Sequence, residues 1–125
     1  MSTKIFCDIA DFDLIRKFNK KKIVKGFTTN PSLMRKAGAK NYETYSKKIL
    51  KICKKKPISF EVFGDDHKNM MDQALKISTW GNNVFVKIPV VNSKGFFSIF
   101  STLFNKTSNS SLLVSFILKT ISSLF

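Results

Sequence analysis

Four short, nearly unbroken apolar runs, separated by stretches with helical spacing, restrict what this chain can fold into more than any other feature. The runs are Lys4-Ile5-Phe6-Cys7-Asp8-Ile9, Ile23 to Phe27, Ile58-Ser59-Phe60-Glu61-Val62-Phe63 and Val84-Phe85-Val86-Lys87-Ile88-Pro89-Val90. Strands alternating with helices in this way are the signature of consecutive βαβ units, which make parallel sheets. Strands without an obvious polar face belong in a sheet buried on both sides by its crossover helices. The expected fold class is therefore α/β.

The intervening residues carry the corresponding start and stop signals. Asp11 is placed to cap a helix holding Leu14, Ile15 and Phe18 on one face. In Thr28-Thr29-Asn30-Pro31-Ser32, Asn30 can cap and Pro31 can take the first position of a short helix that Gly38 closes. Tyr42, Tyr45, Ile49, Ile52 and Cys53 recur at spacings of three and four, predicting an amphipathic helix that Pro57 ends. Asp65 and Asp66 supply negative charge at the start of a further helix, stopped by Gly81 after Trp80.

Three of the four strands carry one ionisable residue near the C-terminal end: Asp8, Glu61 and Lys87. Active sites of parallel α/β folds lie at those ends. Side-chain alternation puts Phe6 with Asp8, Ser59 and Phe63 with Glu61, and Phe85 with Lys87. If those faces share one interior, two carboxylates and an ammonium converge, as an ion-pair network or a catalytic constellation. Taken alone, Lys87 reads as a strand-end lysine reaching for water. With Asp8 and Glu61 at matching positions, it reads instead as an amine partly desolvated by Val84, Phe85, Val86, Ile88 and Pro89, suited to attack a carbonyl.

Composition narrows the partners. Twenty-two Lys+Arg against eight Asp+Glu give a net charge of +14 in 125 residues, which raises nucleic acid, anionic membrane surfaces or phosphorylated ligands. Lys20-Lys21-Lys22 and Lys54-Lys55-Lys56 have no aromatic residues interleaved and read as solvated helix ends rather than a nucleic-acid patch. No run reaches the roughly 18 apolar residues of a membrane span. Acids near Met1 break any secretory signal, so Cys7 and Cys53 are expected to be reduced thiols in the cytoplasm. His67 sits among Asp65, Asp66 and Lys68 as a surface residue, and no metal-ligand spacing includes it.

Thr28-Thr29-Asn30-Pro31-Ser32 after the second strand and Val86-Lys87-Ile88-Pro89 in the fourth, with an aspartate ending the first, resemble the transaldolase and fructose-6-phosphate aldolase family over about residues 3–95. The resemblance implies the N-terminal half of a TIM (β/α)8 barrel. It further implies transfer of a dihydroxyacetone unit between sugar phosphates, with no cofactor and no metal. By the same resemblance Lys87 forms the Schiff base and Asp8 handles the C4-hydroxyl proton. Asn30 binds the dihydroxyacetone moiety beside Thr28 and Thr29, and Glu61 acts through a water. The aldolase branch tends to carry glutamine at the position of Glu61, so the acid favours transaldolase.

Residues 96–125 have another texture, with six Phe, eight Ser and no acid, and the last carboxylate side chain of the chain is Asp72. The spacing of Phe96, Ile99, Phe100, Leu103 and Phe104 allows a helix, and Leu112 to Leu118 reads as a fifth strand or part of another helix. An eight-stranded barrel needs about 250 residues. Two segments are therefore expected, 1–95 as a partial barrel and 96–125 as an unmatched tail from a truncated or frame-shifted reading frame, with impaired activity. Four strands also leave an open edge and an exposed hydrophobic interior, so the chain alone is expected to be marginal, aggregation-prone or dependent on self-association as a homo-oligomer. An inactive half-barrel fragment and a basic binding module remain as alternatives.

Overall fold

The computed structural model describes residues 3–89 and 94. Chain order is β1 (Ile5–Asp8), α1 (Phe12–Asn19), β2 (Val24–Thr28), α2 (Pro31–Lys36), α3 (Tyr42–Ile52), β3 (Ile58–Glu61), α4 (His67–Ser78) and β4 (Val84–Lys87). The strands form one sheet in the order β1-β2-β3-β4, and every neighbouring pair is parallel. Four parallel strands in sequence order, alternating with helices, are the N-terminal half of a TIM barrel. The segment 96–125 and its expected helix and strand lie outside the described residues.

Helix starts follow the local chemistry of the sequence. Asp11 accepts from the Asp13 and Leu14 amides at 3.0 and 2.9 Å, and Asn30 from the Leu33 amide at 2.8 Å with Pro31 at the first turn. Asn41 and Asp66 cap α3 and α4 in the same way. Gly38 takes φ +90° just after α2, a conformation that costs a side-chain-bearing residue energy. Gly81 does not play that part for α4. The helix ends at Ser78, where the Thr79 and Trp80 amides fold back to Lys76 and Ile77 in a tight last turn.

Strand ends are shorter than the apolar runs. After Glu61 the amides of Phe63 and Gly64 both donate to Gln73 Oε1 at 2.9 Å, so they leave the ladder for α4. Burial also differs from the expectation of a sheet covered on both sides. Phe27, Ile58 and Val84 lie level on one face, with Phe60 and Val86 beyond them, all buried against Ile15, Met34, Ile49, Met70, Ala74 and Ile77 of the helices. Each large side chain sealed there contributes about 1.5–3 kcal/mol. The opposite face carries Phe6, which is 45% exposed, and half-buried Glu61, Phe85 and Lys87. Among the described residues no helix covers that face, which in a barrel fronts the axis. Gly26 admits the Phe6 ring there: a Cβ would meet Phe6 Cε1 at 2.3 Å and the Pro57 carbonyl at 2.7 Å.

Candidate active site

The final residues of the four strands are Asp8, Thr28, Glu61 and Lys87. Register puts them on one face. Asp8 lies level with Thr28, Thr28 with Ser59, and Ser59 with Phe85, while Glu61 and Lys87 face each other one pleat further on. This is the uncovered, axis-facing side.

Lys87 and Glu61 are a pair, with Nζ 3.6 Å from Oε2 and side chains 14% and 13% exposed. Lys87 Nζ also donates to the Thr29 carbonyl at 3.0 Å. At an effective dielectric of about 20, two charges at that separation attract by about 4–5 kcal/mol, comparable to the several kcal/mol needed to desolvate each ion. The pair therefore adds little net stability and fixes position instead. Its amine is held on the inner face at the C-terminal edge, next to a carboxylate.

Asp8 belongs to a second, separate contact. Thr28 Oγ1 donates to Asp8 Oδ1 at 2.6 Å, and Asp8 itself is exposed. Thr29 turns to the helix side, where its amide and its hydroxyl both donate to the Ser59 carbonyl, at 3.0 and 2.9 Å. That locks the backbone whose carbonyl receives Lys87. Asn30 spends its side-chain oxygen on the cap of α2 and keeps an amide –NH₂ end able to donate to a ligand. The structure thus joins Lys87 to Glu61 and the Thr29 backbone, and Asp8 to Thr28, while β2 and β3 lie between the two contacts.

One positioning residue was invisible to sequence reasoning. Tyr42 was legible only as a member of an apolar helix face, yet its hydroxyl donates to the Glu61 carbonyl at 2.9 Å and accepts from the Glu61 amide at 3.0 Å. Burial drives its hydroxyl well above the ordinary tyrosine range; the Glu61 backbone bond opposes this, and the Glu61 charge adds to it. The available signal was a tyrosine, rather than phenylalanine, at a core-facing position. Two shallow cavities of about 330 and 290 Å³ lie on the flank near Tyr42, Phe63 and Lys40, away from Lys87. Among the described residues, no three His, Cys, Asp or Glu side chains gather as a metal site. No helix among them is long and apolar enough to cross a membrane.

Four parallel strands ending in Asp8, Thr28, Glu61 and Lys87 define a barrel-type site of the lysine-carboxylate kind. The family description Transaldolase/Fructose-6-phosphate aldolase matches residues 5–99, and the chain belongs to that family. It is similar to a "Probable transaldolase" of Dehalococcoides mccartyi, 37% identical over 86 residues, which cover 69% of this chain and 40% of that protein. Another "Probable transaldolase", from Nitrosopumilus maritimus, is 40% identical over 87 residues, covering 70% of this chain and 38% of the relative. A third, from Streptococcus equi subsp. zooepidemicus, is 41% identical over 87 residues, with 70% and 40% covered. The chain spans about two-fifths of the length of these relatives.

Proposed function

We propose that the site performs transaldolase-type chemistry, moving a dihydroxyacetone unit between sugar phosphates through a Schiff base on Lys87. The observation that carries this is the half-buried amine of Lys87 beside Glu61 at the C-terminal edge of a family-matched half-barrel. The amine adds to the ketose C2 carbonyl, and loss of water gives the imine, an electron sink that accepts the pair released when C3–C4 breaks. Asp8 takes the C4-hydroxyl proton in that step. Glu61 moves the imine protons through a water, and the –NH₂ of Asn30 binds the dihydroxyacetone hydroxyls beside Thr28 and Thr29. An acid at position 61 favours transfer to an acceptor aldehyde over release of the free three-carbon unit, the aldolase outcome. Imine formation is the step to measure, because it needs only the amine and the groups beside it.

Fructose 6-phosphate with borohydride should fix a three-carbon adduct on Lys87 and on none of the nineteen other lysines, read by peptide mass spectrometry. Lys87→Arg keeps the charge, removes the nucleophile and should abolish trapping. Asp8→Asn should spare the imine and retain a six-carbon adduct, because cleavage stalls. Equal labelling of wild type and Lys87→Arg eliminates the assignment of the nucleophile. No labelling of the wild type eliminates the enzyme function.

A further inference from the structure

Thr28 and Thr29 are adjacent in sequence and opposite in direction, as alternation along an extended backbone requires. Thr29 is fully buried on the helix side and spends both its amide and its hydroxyl on the Ser59 carbonyl. Thr28 turns to the inner face. Its hydroxyl donates to Asp8 Oδ1 at 2.6 Å, the length of a hydroxyl bond to a charged carboxylate. A hydroxyl carries one proton. While Asp8 is ionised that proton is committed to the carboxylate, and toward a ligand the Thr28 hydroxyl can only accept.

The same residue holds the backbone beneath that carboxylate. Asp8 lies level with Thr28 in the ladder, and the Thr28 carbonyl accepts from the Ile9 amide at 3.1 Å. Asp8 is thus gripped twice, through the main chain by a carbonyl and through the side chain by a hydroxyl. Threonine hydroxyls commonly bond backbone groups close to them in sequence. This one crosses to the neighbouring strand, 20 residues away. Thr28 is buried and, being β-branched, stiff at χ1, so the donor is fixed and the carboxylate turns to meet it. Without that bond the Asp8 side chain is left to spread over the staggered wells of χ1.

We propose that Thr28 is the positioning residue for carbon–carbon cleavage: by engaging Oδ1 it orients Asp8 so that Oδ2 takes the C4-hydroxyl proton of the ketose held on Lys87. This rests on the transaldolase-type function proposed for Lys87. In the step the C4 O–H bond breaks and its proton passes to Oδ2, while its electron pair becomes the second bond of C4=O. The C3–C4 bond breaks and its pair moves into the iminium, which becomes an enamine, and the aldehyde leaves. Thr28 neither gains nor loses a proton; it holds the acceptor in line beforehand. A displacement of about 1 Å in such an alignment can slow a reaction about 10²-fold. Imine formation takes place at Lys87, whose contacts are to Glu61 and the Thr29 carbonyl, and does not use this bond.

Two readouts separate this role from a merely structural one. Fructose 6-phosphate with borohydride should leave mainly a three-carbon adduct on Lys87 of the wild type and mainly a six-carbon adduct on Lys87 of Thr28→Val, because cleavage slows by roughly ten- to a hundredfold while the imine still forms. Thr28→Ser keeps the hydroxyl and should restore the three-carbon share. A three-carbon share in Thr28→Val equal to that of the wild type, or a Thr28→Ser that behaves as Thr28→Val, overturns the proposal. The second readout needs no turnover. In the NMR spectrum the Hα–Hβ couplings of Asp8 should report one staggered rotamer in the wild type and an average in Thr28→Val. Averaged couplings in the wild type, or a single rotamer retained in Thr28→Val, overturn the proposal as well. A wild type that forms no adduct removes the transaldolase-type function, and the couplings alone then decide whether Thr28 orients Asp8.

Discussion

Tyr42 shows how a single atom can hold the C-terminal end of β3 in place. Its hydroxyl serves both backbone groups of Glu61, and through them fixes the carboxylate beside Lys87. Tyr42→Phe leaves a part-buried amide and carbonyl without that partner, a loss of about 1–3 kcal/mol, measured as a lower urea midpoint. The pH dependence has a definite sign. Burial raises the Tyr42 hydroxyl above its unfolded value near 10, so the folded chain keeps a proton that the unfolded chain loses. Its contribution is complete below about pH 10 and is lost as pH rises beyond it, so wild type should lose stability faster than Tyr42→Phe in alkali. Tyr45, also raised by burial, leaves part of that slope in the variant.

At the level of elements, Asn30 in the loop between β2 and α2 joins an observed duty to a proposed one. Its oxygen caps α2 and its –NH₂ is the proposed ligand donor. Asn30→Ala should cost about 1 kcal/mol through the lost cap and also weaken adduct trapping. Asn30→Asp caps as well as asparagine, so stability should hold while trapping falls. Equal trapping by Asn30→Asp and wild type would remove Asn30 from the binding role and leave it as a cap alone. Other ties between elements are weaker. Glu43 links α3 to Lys76 of α4 at 2.6 Å and pairs with Lys47, and these hydrogen bonds hold its carboxyl down at about 2. It is only partly buried, with its two lysine partners exposed to solvent screening, so it counts for little in the packing of the two helices.

For the whole molecule, the fold gathers charge that the sequence scatters. Lys56 Nζ donates to the Lys21 carbonyl at 2.8 Å, so the triplets 20–22 and 54–56 adjoin at the end of the sheet opposite Lys87. With no aromatic residue interleaved in either triplet, this patch can offer phosphates only point charges. Binding to DNA or RNA should be weaker than about 1 μM at physiological salt and fall steeply as salt rises. A tighter, salt-insensitive complex in a fluorescence titration would show that the basic surface is a built nucleic-acid site.

The α/β class, the helix caps at Asp11 and Asn30, and the strand-end positions of Asp8, Glu61 and Lys87 were legible in the sequence, because each depends on residues within a turn or on alternation along one strand. The ends of β3 and α4 were not. Gln73 draws Phe63 and Gly64 off the ladder from ten and nine residues away, and the tight turn at Thr79 ends α4 without using Gly81. Only tertiary structure decided which charges meet. Lys87 pairs with Glu61 because β3 and β4 are neighbours in that register, and Asp8 is left to Thr28 because two strands stand between it and the lysine. Pairing across strands is set by sheet order and register, long-range quantities that no local pattern encodes. The same holds for the face that no helix among the described residues covers, since whether a strand's second side is buried depends on what packs over it and not on its own residues.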